Sequence, residues 1–243
     1  MTITIQKFWH KQASTLPQMA QILSRELPRV CPDLSPLYQA ASLCRTNLAK
    51  GKFFYVMDDL HFRIKSNGHI PNHAPQNVDI FLSVHAESNT EIKDYDPFNR
   101  LELNVILTAG ADRAFLGAWH LDRHVGKEGE PSDSLHPLYH FHFGGHHLKE
   151  LNNDVGRLLI MDGPRLPHFP MDIFLGVDFV LSHYVGDAWA KLKDNTTYLS
   201  FLRTSQEFLI GNHVRALYSY YGPTPYERKN GGACRLWPNL PPH

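Results

Sequence analysis

The chain has 243 residues, of which 42% are hydrophobic and 12% aromatic, so it can bury a sizeable core. Its 24 Lys and Arg balance 24 Asp and Glu, which excludes a globally basic protein that collects nucleic acid by charge alone. No apolar run approaches the ~20 residues of a membrane span and no signal peptide is evident, so we expect a cytoplasmic protein with no membrane association. The three cysteines, Cys31, Cys44 and Cys234, have no paired spacing, which favours reduced thiols.

Helical patterns occupy residues 1–50. Apolar residues recur with helical spacing over about residues 19–27, and Ser35 followed by Pro36 is typical of a helix start. We therefore predict two short helices in this segment.

The apolar period changes to two over residues 53–143, between turn clusters rich in Gly, Pro and Asn. This pattern predicts a meander of about five antiparallel strands. Residues 150–221 return to helical spacing, with an opening helix that is apolar nearly all round, and residues 222–243 form an irregular tail rich in Pro and Gly. The expected fold is a single α+β domain, 1–243, whose sheet packs on the helices of both ends.

The segment 161–172, MDGPRLPHFPMD, contains three prolines ahead of the buried helix. We expect a proline-fixed joint, with Pro170 in the first turn of the helix. Arg165 in this joint is a candidate second ligand for a phosphate group.

Histidines concentrate on one face of the last three strands. Successive side chains of a strand point to opposite faces, so alternate residues share a face. Apolar side chains follow one parity, and the other parity carries Glu102 on the first of these strands, His120, Asp122 and His124 on the second, and His136, His140 and His142 on the third. These side chains are predicted to form one patch.

Symmetric connections between these strands suggest a register. His124 would then face His136, His120 would face His140, and Glu102 would lie opposite His120, about 5 Å away. Two earlier strands can extend the patch, although their order is open, with His61, Arg63, Asp79, Ser83 and His85.

Acid–base hydrolysis of a phosphodiester is one chemistry that suits this patch. Imidazole titrates near neutrality, so Glu102, His120 and His140 can exchange protons with the attacking and leaving groups. Arg63 and protonated His124 would bind the phosphate. The expected activity is that of a nuclease or phosphodiesterase, with RNA or a nucleotide as substrate.

Metal binding is the second chemistry. His140 and His142 are two imidazoles on one strand face, and His120 or His136 together with Asp122 or Glu102 can complete a site for Zn, Mn, Fe or Ni. The metal can assist phosphodiester hydrolysis, or serve a cupin-like enzyme that acts on a small molecule.

A non-catalytic interpretation stays open beside both chemistries. An antiparallel sheet commonly shows one polar face to water, so polar alternation alone carries no functional information. The choice of histidine rather than Lys, Glu or Thr favours a site. The same face can also bind a protein partner or a second copy of the chain, as an adaptor subunit does.

Overall fold

The structure is a computed structural model that describes residues 4–65, 77–92, 95–109, 115–123, 137–144 and 165–221. It confirms the α+β class, with N-terminal helices, an antiparallel sheet and C-terminal helices. The helices are α1 (Ile5–Glu26), α2 (Ser35–Leu48), α3 (Ile173–Tyr184), α4 (Gly186–Leu192), α5 (Thr196–Ser205) and α6 (Gly211–Tyr221). The strands are β1 (Phe53–Lys65), β2 (Asn77–Ser88), β3 (Arg100–Ala109), β4 (Phe115–Arg123), β5 (Tyr139–Phe143) and β6 (Leu166–Pro167). Among these helices, none has the length and apolar character needed to cross a membrane.

Helix α1 is much longer than the short helix that the sequence predicted. It begins at Ile5 and continues through Pro17 to Glu26. Proline has no N–H to donate to the carbonyl four residues earlier, and here that carbonyl, of Ala13, accepts a hydrogen bond of 3.2 Å from Arg45 Nη1 of α2. Burial of Phe8 and Trp9, both 0% exposed, favours helix in the first turns. Packing of the apolar stripe therefore outweighs the local proline signal.

The sheet is a meander in which every strand pairs antiparallel with its neighbours along the chain, in the order β1 to β6. The expected five strands are present, and β6 is added at the edge. It comes from the proline-rich joint, where Pro167 pairs with His140 and Leu166 with Phe141. Proline is tolerated at a sheet edge because its missing N–H leaves no inner ladder bond unmade.

Helix α3 packs on the apolar face of the sheet and is buried along most of its length, as predicted. Its N-cap is Asp172, whose carboxylate accepts from the Leu175 N–H at 3.0 Å. Pro170 therefore precedes the helix, and its predicted place in the first turn is wrong. A Cβ at Gly176 would lie 3.0 Å from Leu103 Cδ1, so the glycine permits a close approach of helix to sheet.

A buried polar cluster joins three of the helices. Asp172, which is 0% exposed, accepts from Gln12 Nε2 of α1 at 2.6 Å and from Ser205 Oγ at the end of α5. A π-helical turn, Gln206–Ile210, follows Ser205 and leads into α6. The cluster fixes α1, α3 and α5 to one another, on the side of the sheet away from the histidines.

Candidate metal site

The predicted separation of the two faces is confirmed, but the predicted register is wrong. His120 lies opposite His142 and Asp122 opposite His140, while Glu102 lies opposite Asp122 instead of His120. Each cross-strand partner differs from the predicted one by two residues. The reason is that the β3–β4 and β4–β5 connections are not symmetric about the positions that we assumed. A shift of two residues keeps every side chain on its face, so the patch survives with different neighbours.

Three of the predicted ligands come together at the end of β4 and in β5. Donor atoms of Asp122, His140 and His142 all lie within 4.8 Å of one another. Ligand atoms around a tetrahedral ion, at metal–nitrogen distances near 2.0–2.1 Å, lie roughly 3.3 Å apart. Side-chain rotations that bring the donor atoms up to about 1.5 Å closer together would therefore close the three groups around an ion.

The ring of His140 is held in place by a hydrogen bond to the backbone. Its ring is buried, and Nδ1 donates to the carbonyl oxygen of Pro137 at 3.2 Å. The proton on Nδ1 makes Nε2 the nitrogen with a lone pair. Metal-binding histidines usually donate their second nitrogen to a carbonyl or carboxylate in this way.

His120 lies beside the three candidate ligands and is 3% exposed. Nδ1 of its ring is hydrogen-bonded to the side-chain amide of Asn104, and Nε2 donates to the carbonyl oxygen of Gly144 at 3.1 Å. The ring centroid is 5.1 Å from that of His142. His120 therefore packs against His142 with both of its own nitrogens hydrogen-bonded. Asn104 lies on this face because it is opposite His120, and the sequence pattern gave it no role.

An ion pair and hydrogen bonds at Arg123 and Tyr139, the residue pair next to Asp122 and His140, join β4 to β5. Arg123, opposite Tyr139, donates from Nη2 to Asp96 Oδ2 at 2.8 Å and from Nη1 to the carbonyl of Asn99 at 3.1 Å. The Tyr139 hydroxyl donates to the other Asp96 oxygen, and burial together with Asp96 raises the pKa of Tyr139, so the donor keeps its proton. These contacts hold Asp122 and His140, the adjacent pair, in register.

The register also aligns four chemically active residues in one row across the sheet. His85 on β2 lies opposite Glu102, Glu102 opposite Asp122, and Asp122 opposite His140. Glu102 is 44% exposed at its side chain and accepts from Arg100 Nε at 2.8 Å. Opposite residues on one face have Cβ atoms about 5 Å apart, so each member of the row can contact the next.

His85 is the member of this row that the sequence only offered as an extension of the patch. Its Nε2 is buried and has no hydrogen-bond partner in the part of the chain that the structure describes. The ring stands edge-on to Phe54, with centroids 5.2 Å apart. Burial lowers the pKa of His85, Arg100 lowers it further and Glu102 opposes both, which favours a neutral imidazole at pH 7.

Arg63 is not brought to the histidines. It donates to Asp79 at 2.8 Å, and the same carboxylate oxygen is 2.6 Å from His61 Nε2. Asp79 is six residues from His85 along β2, which is ~20 Å of strand. The structure therefore places Arg63 with Asp79 and does not bring it together with His120 and His140.

The predicted roles of three further residues are not tested by the structure. His124 and His136 lie outside the described residues, and their roles stay predictions. Arg165 directly precedes β6, the strand that pairs with β5 at His140. Its phosphate-binding role also stays a prediction.

Comparison with protein-family models, with curated proteins and with solved structures found no match. The geometry of the site therefore carries the functional proposal.

Proposed function

We propose that this protein is a metal-dependent hydrolase whose divalent ion is bound by Asp122, His140 and His142. The observation that carries the proposal is the approach of these three donor groups to within 4.8 Å, on two strands that are locked in register. Two imidazoles and a carboxylate form a donor set that suits Zn, Mn, Fe or Ni.

The hydrogen bonds of the neighbouring residues favour metal binding over the acid–base alternative. His120 uses both ring nitrogens in hydrogen bonds to Asn104 and Gly144, so an acid–base role would break one of them. Glu102 lies opposite Asp122, a residue pair away from His120, and is ion-paired with Arg100. His120 is better suited to holding the His142 ring in place.

Three protein ligands leave positions around an ion for water and substrate. A divalent ion lowers the pKa of the water that it binds and offsets negative charge on the substrate. Asp122 and the two histidines hold and orient the ion, and the exposed side chain of Glu102 beside them marks the side that is open to substrate. The proposed substrate is the phosphodiester of an RNA or a nucleotide in the cytoplasm.

The test is elemental analysis of untagged protein after equilibrium dialysis against Zn²⁺, Mn²⁺, Fe²⁺ or Ni²⁺ in turn. The variant His140→Ala/His142→Ala is compared with His10→Ala/His183→Ala, which removes two exposed histidines from helices. We expect stoichiometric metal in the wild type and the control, and a loss of at least 10-fold in affinity in the site variant. Cleavage of single-stranded RNA and of bis(p-nitrophenyl) phosphate is then measured with and without chelator.

Each outcome selects among the candidate functions. Metal binding with chelator-sensitive phosphodiester cleavage supports the proposal. Metal binding without such cleavage favours an enzyme that acts on a small molecule. Equal, negligible metal in all three proteins contradicts the proposal and favours acid–base catalysis, or a surface for a protein partner or a second copy of the chain.

A further inference from the structure

We propose that the groove between α1 and α2 binds a small phosphate monoester, with the phosphate at Arg45 and an apolar or aromatic body on the small side chains beside it. This site is separate from the candidate metal site. Helix α1 packs on the apolar face of the sheet, where Trp9 contacts Tyr55 of β1 with ring centroids 5.2 Å apart. The candidate metal ligands lie on the other face, so the inference does not depend on the proposed function.

A cavity of about 430 Å³ opens between the first half of α1 and the last turn of α2. It is lined by His10, Ala13 and Ser14 of α1 and by Arg45, Leu48 and Ala49 at the end of α2. Pockets for small ligands have volumes from about 300 Å³ upward and are mostly apolar, with a few polar groups that fix the orientation of the ligand. The size and the lining of this cavity therefore suit one small molecule.

Arg45 is held at the cavity by the backbone of α1. Pro17 has no N–H to donate to the Ala13 carbonyl, and Arg45 Nη1 donates to that oxygen at 3.2 Å. A guanidinium has five N–H donors in one plane, so its remaining donors can bind two oxygens of a phosphate. The hydrogen bond to Ala13 orients the guanidinium before the ligand arrives, which reduces the entropic cost of binding.

Positive charge is concentrated in the two helices that form the cavity. Residues 4–53 contain seven Lys and Arg but two Asp and Glu, although the whole chain has equal numbers of basic and acidic residues. Lys7 and Lys11 are exposed on the first half of α1, and Lys50 and Lys52 are exposed just beyond the end of α2. A cleft whose surroundings carry one sign of charge attracts ligands of the opposite sign. The cavity therefore favours an anion.

The two acidic residues of this segment lie at the far end of the helix pair. Glu26 ends α1, ~20 Å along the helix from Ala13, and it pairs with Arg25 at 2.7 Å. Asp33 lies between the helices in the chain and accepts from the Ser35 N–H at 2.8 Å. The basic residues near the cavity are thus not neutralised within this segment. A phosphate monoester carries a charge of about −1.5 to −2 at pH 7, so it is attracted more strongly than a carboxylate.

The apolar part of the lining indicates that the ligand is larger than a phosphate ion. Ala13, Leu48 and Ala49 offer only hydrocarbon side chains to the cavity. A phosphate ion bound by Arg45 would leave this surface in water, whereas an ester could cover it with its apolar or aromatic body and gain from its burial. A nucleoside monophosphate and a smaller aromatic ester share this chemistry.

The test is isothermal titration calorimetry of the full chain with phenyl phosphate, in a chelator so that no cation occupies the candidate metal ligands. We expect one binding site per chain and at least 10-fold weaker binding of inorganic phosphate and of phenol, which each lack half of the ligand. Benzoate should also bind more weakly than phenyl phosphate. Adenosine and uridine monophosphates identify the source of the ester: tighter binding than phenyl phosphate indicates a nucleotide, and weaker binding indicates a smaller ester.

Four variants locate the binding site. Arg45→Gln should weaken the binding of phenyl phosphate at least 10-fold. Ala49→Trp should have a similar effect without any change of charge, because it fills the cavity from an exposed position, whereas Ala49→Ser should bind as the wild type does. Arg25→Gln removes an exposed arginine from the far end of α1 and should also retain the wild-type affinity.

The remaining outcomes overturn the inference. Undiminished binding in Ala49→Trp, or equal weakening in Arg25→Gln and Arg45→Gln, would mean a diffuse attraction of anions to a basic surface. Equal binding of phenol would mean an apolar pocket without a phosphate site, tighter binding of benzoate would mean a carboxylate site, and no binding of phenyl phosphate contradicts the inference directly. Binding that is lost in His140→Ala/His142→Ala and retained in Arg45→Gln would place the ester at the metal ligands.

Circular dichroism establishes that each variant keeps the fold. Arg45→Gln also removes the donor to the Ala13 carbonyl, so Ala49→Trp decides the question if that variant unfolds. The metal content of the protein tests the proposed function and is independent of all these outcomes.

Discussion

Two carboxylates in this molecule have different kinds of neighbour. Asp172 is enclosed by groups that donate hydrogen bonds: the Gln12 amide, the Ser205 hydroxyl and the Leu175 N–H. Asp122 has its donor atom within 4.8 Å of those of His140 and His142, and it lies opposite a second carboxylate, that of Glu102. A carboxylate that accepts three hydrogen bonds is satisfied within the fold, whereas a carboxylate beside two imidazoles belongs to a donor set that can bind a cation.

This difference explains why burial alone does not identify a site. Asp172 is the more deeply buried of the two, and burial raises its pKa although its hydrogen bonds oppose the shift. Its neighbours come from α1, α3 and the end of α5, which it joins. We interpret Asp172 as a structural residue and Asp122 as a metal ligand, and the predictions below test that contrast.

The largest expected effect is the loss of stability in Asp172→Ala. The change removes the α3 N-cap and leaves the Gln12 amide and the Ser205 hydroxyl buried without an acceptor, at about 1–3 kcal/mol for each group. We expect the free energy of unfolding to fall by roughly 3 kcal/mol or more in urea titrations. Metal-free Asp122→Ala, the matched variant, should lose about 1 kcal/mol or less. Equal losses of stability in the two variants would contradict the distinction between Asp172 as a structural residue and Asp122 as a metal ligand.

The next effect is stabilisation by metal. At ~100 times its dissociation constant, an ion that binds only the folded state adds about 2.7 kcal/mol, or roughly 5–10 °C in Tm for a chain of this size. We expect that shift with Zn²⁺ in the wild type and in Asp172→Asn, and no shift in His142→Ala. A shift retained in His142→Ala would place the ion elsewhere.

The pH dependence of Asp172 follows from the direction of its pKa shift. Because the folded-state pKa lies above the ordinary value of 3.8, the folded protein holds a proton that the unfolded chain has released. The contribution of Asp172 to stability is thus greatest at low pH and falls as pH rises from near 3.8 to the folded-state pKa. Asp172→Asn does not titrate and isolates this term.

Urea titrations at a series of pH values measure this contribution of Asp172 to stability. The free energy of unfolding of the wild type minus that of Asp172→Asn should decrease from about pH 4 upward and then level off. A constant difference would mean that the hydrogen bonds balance burial at this carboxylate, and a difference that increases with pH would mean that they outweigh it.

The sequence predicted the parity of the sheet and therefore the face that carries the site. Alternation along β3, β4 and β5 is sufficient for that, since a strand has only two faces. The same alternation could not predict the register. A shift of two residues gives every residue a new cross-strand neighbour but leaves every side chain on the same face. His120 and Glu102 were consequently paired with each other, whereas the structure pairs them with His142 and Asp122.

Contacts between distant segments account for the other differences. Nothing local indicates that Arg45 meets the carbonyl left open by Pro17, so α1 was predicted too short. The hydrogen bond between the Asn104 amide and His120 could not be predicted either, because no sequence motif indicates it. Arg63 was placed with the histidines because strands β1 and β2 have the right parity, although the site lies at the other end of the sheet.

The smallest expected effect is at Asp79, which also pairs with a histidine. This carboxylate accepts from Arg63 at 2.8 Å, a contact that lowers its pKa, and it is 29% exposed. Solvent screens such pairs, so Asp79→Ala should lower the free energy of unfolding by about 1 kcal/mol or less. Its contribution should be present at neutral pH and decline as pH falls below the ordinary range of an aspartate, the opposite sign to Asp172. Metal content should be unchanged, because Asp79 already interacts with both Arg63 and His61 and lies away from the candidate metal ligands. Loss of metal in Asp79→Ala would contradict the assignment of the ion to Asp122, His140 and His142.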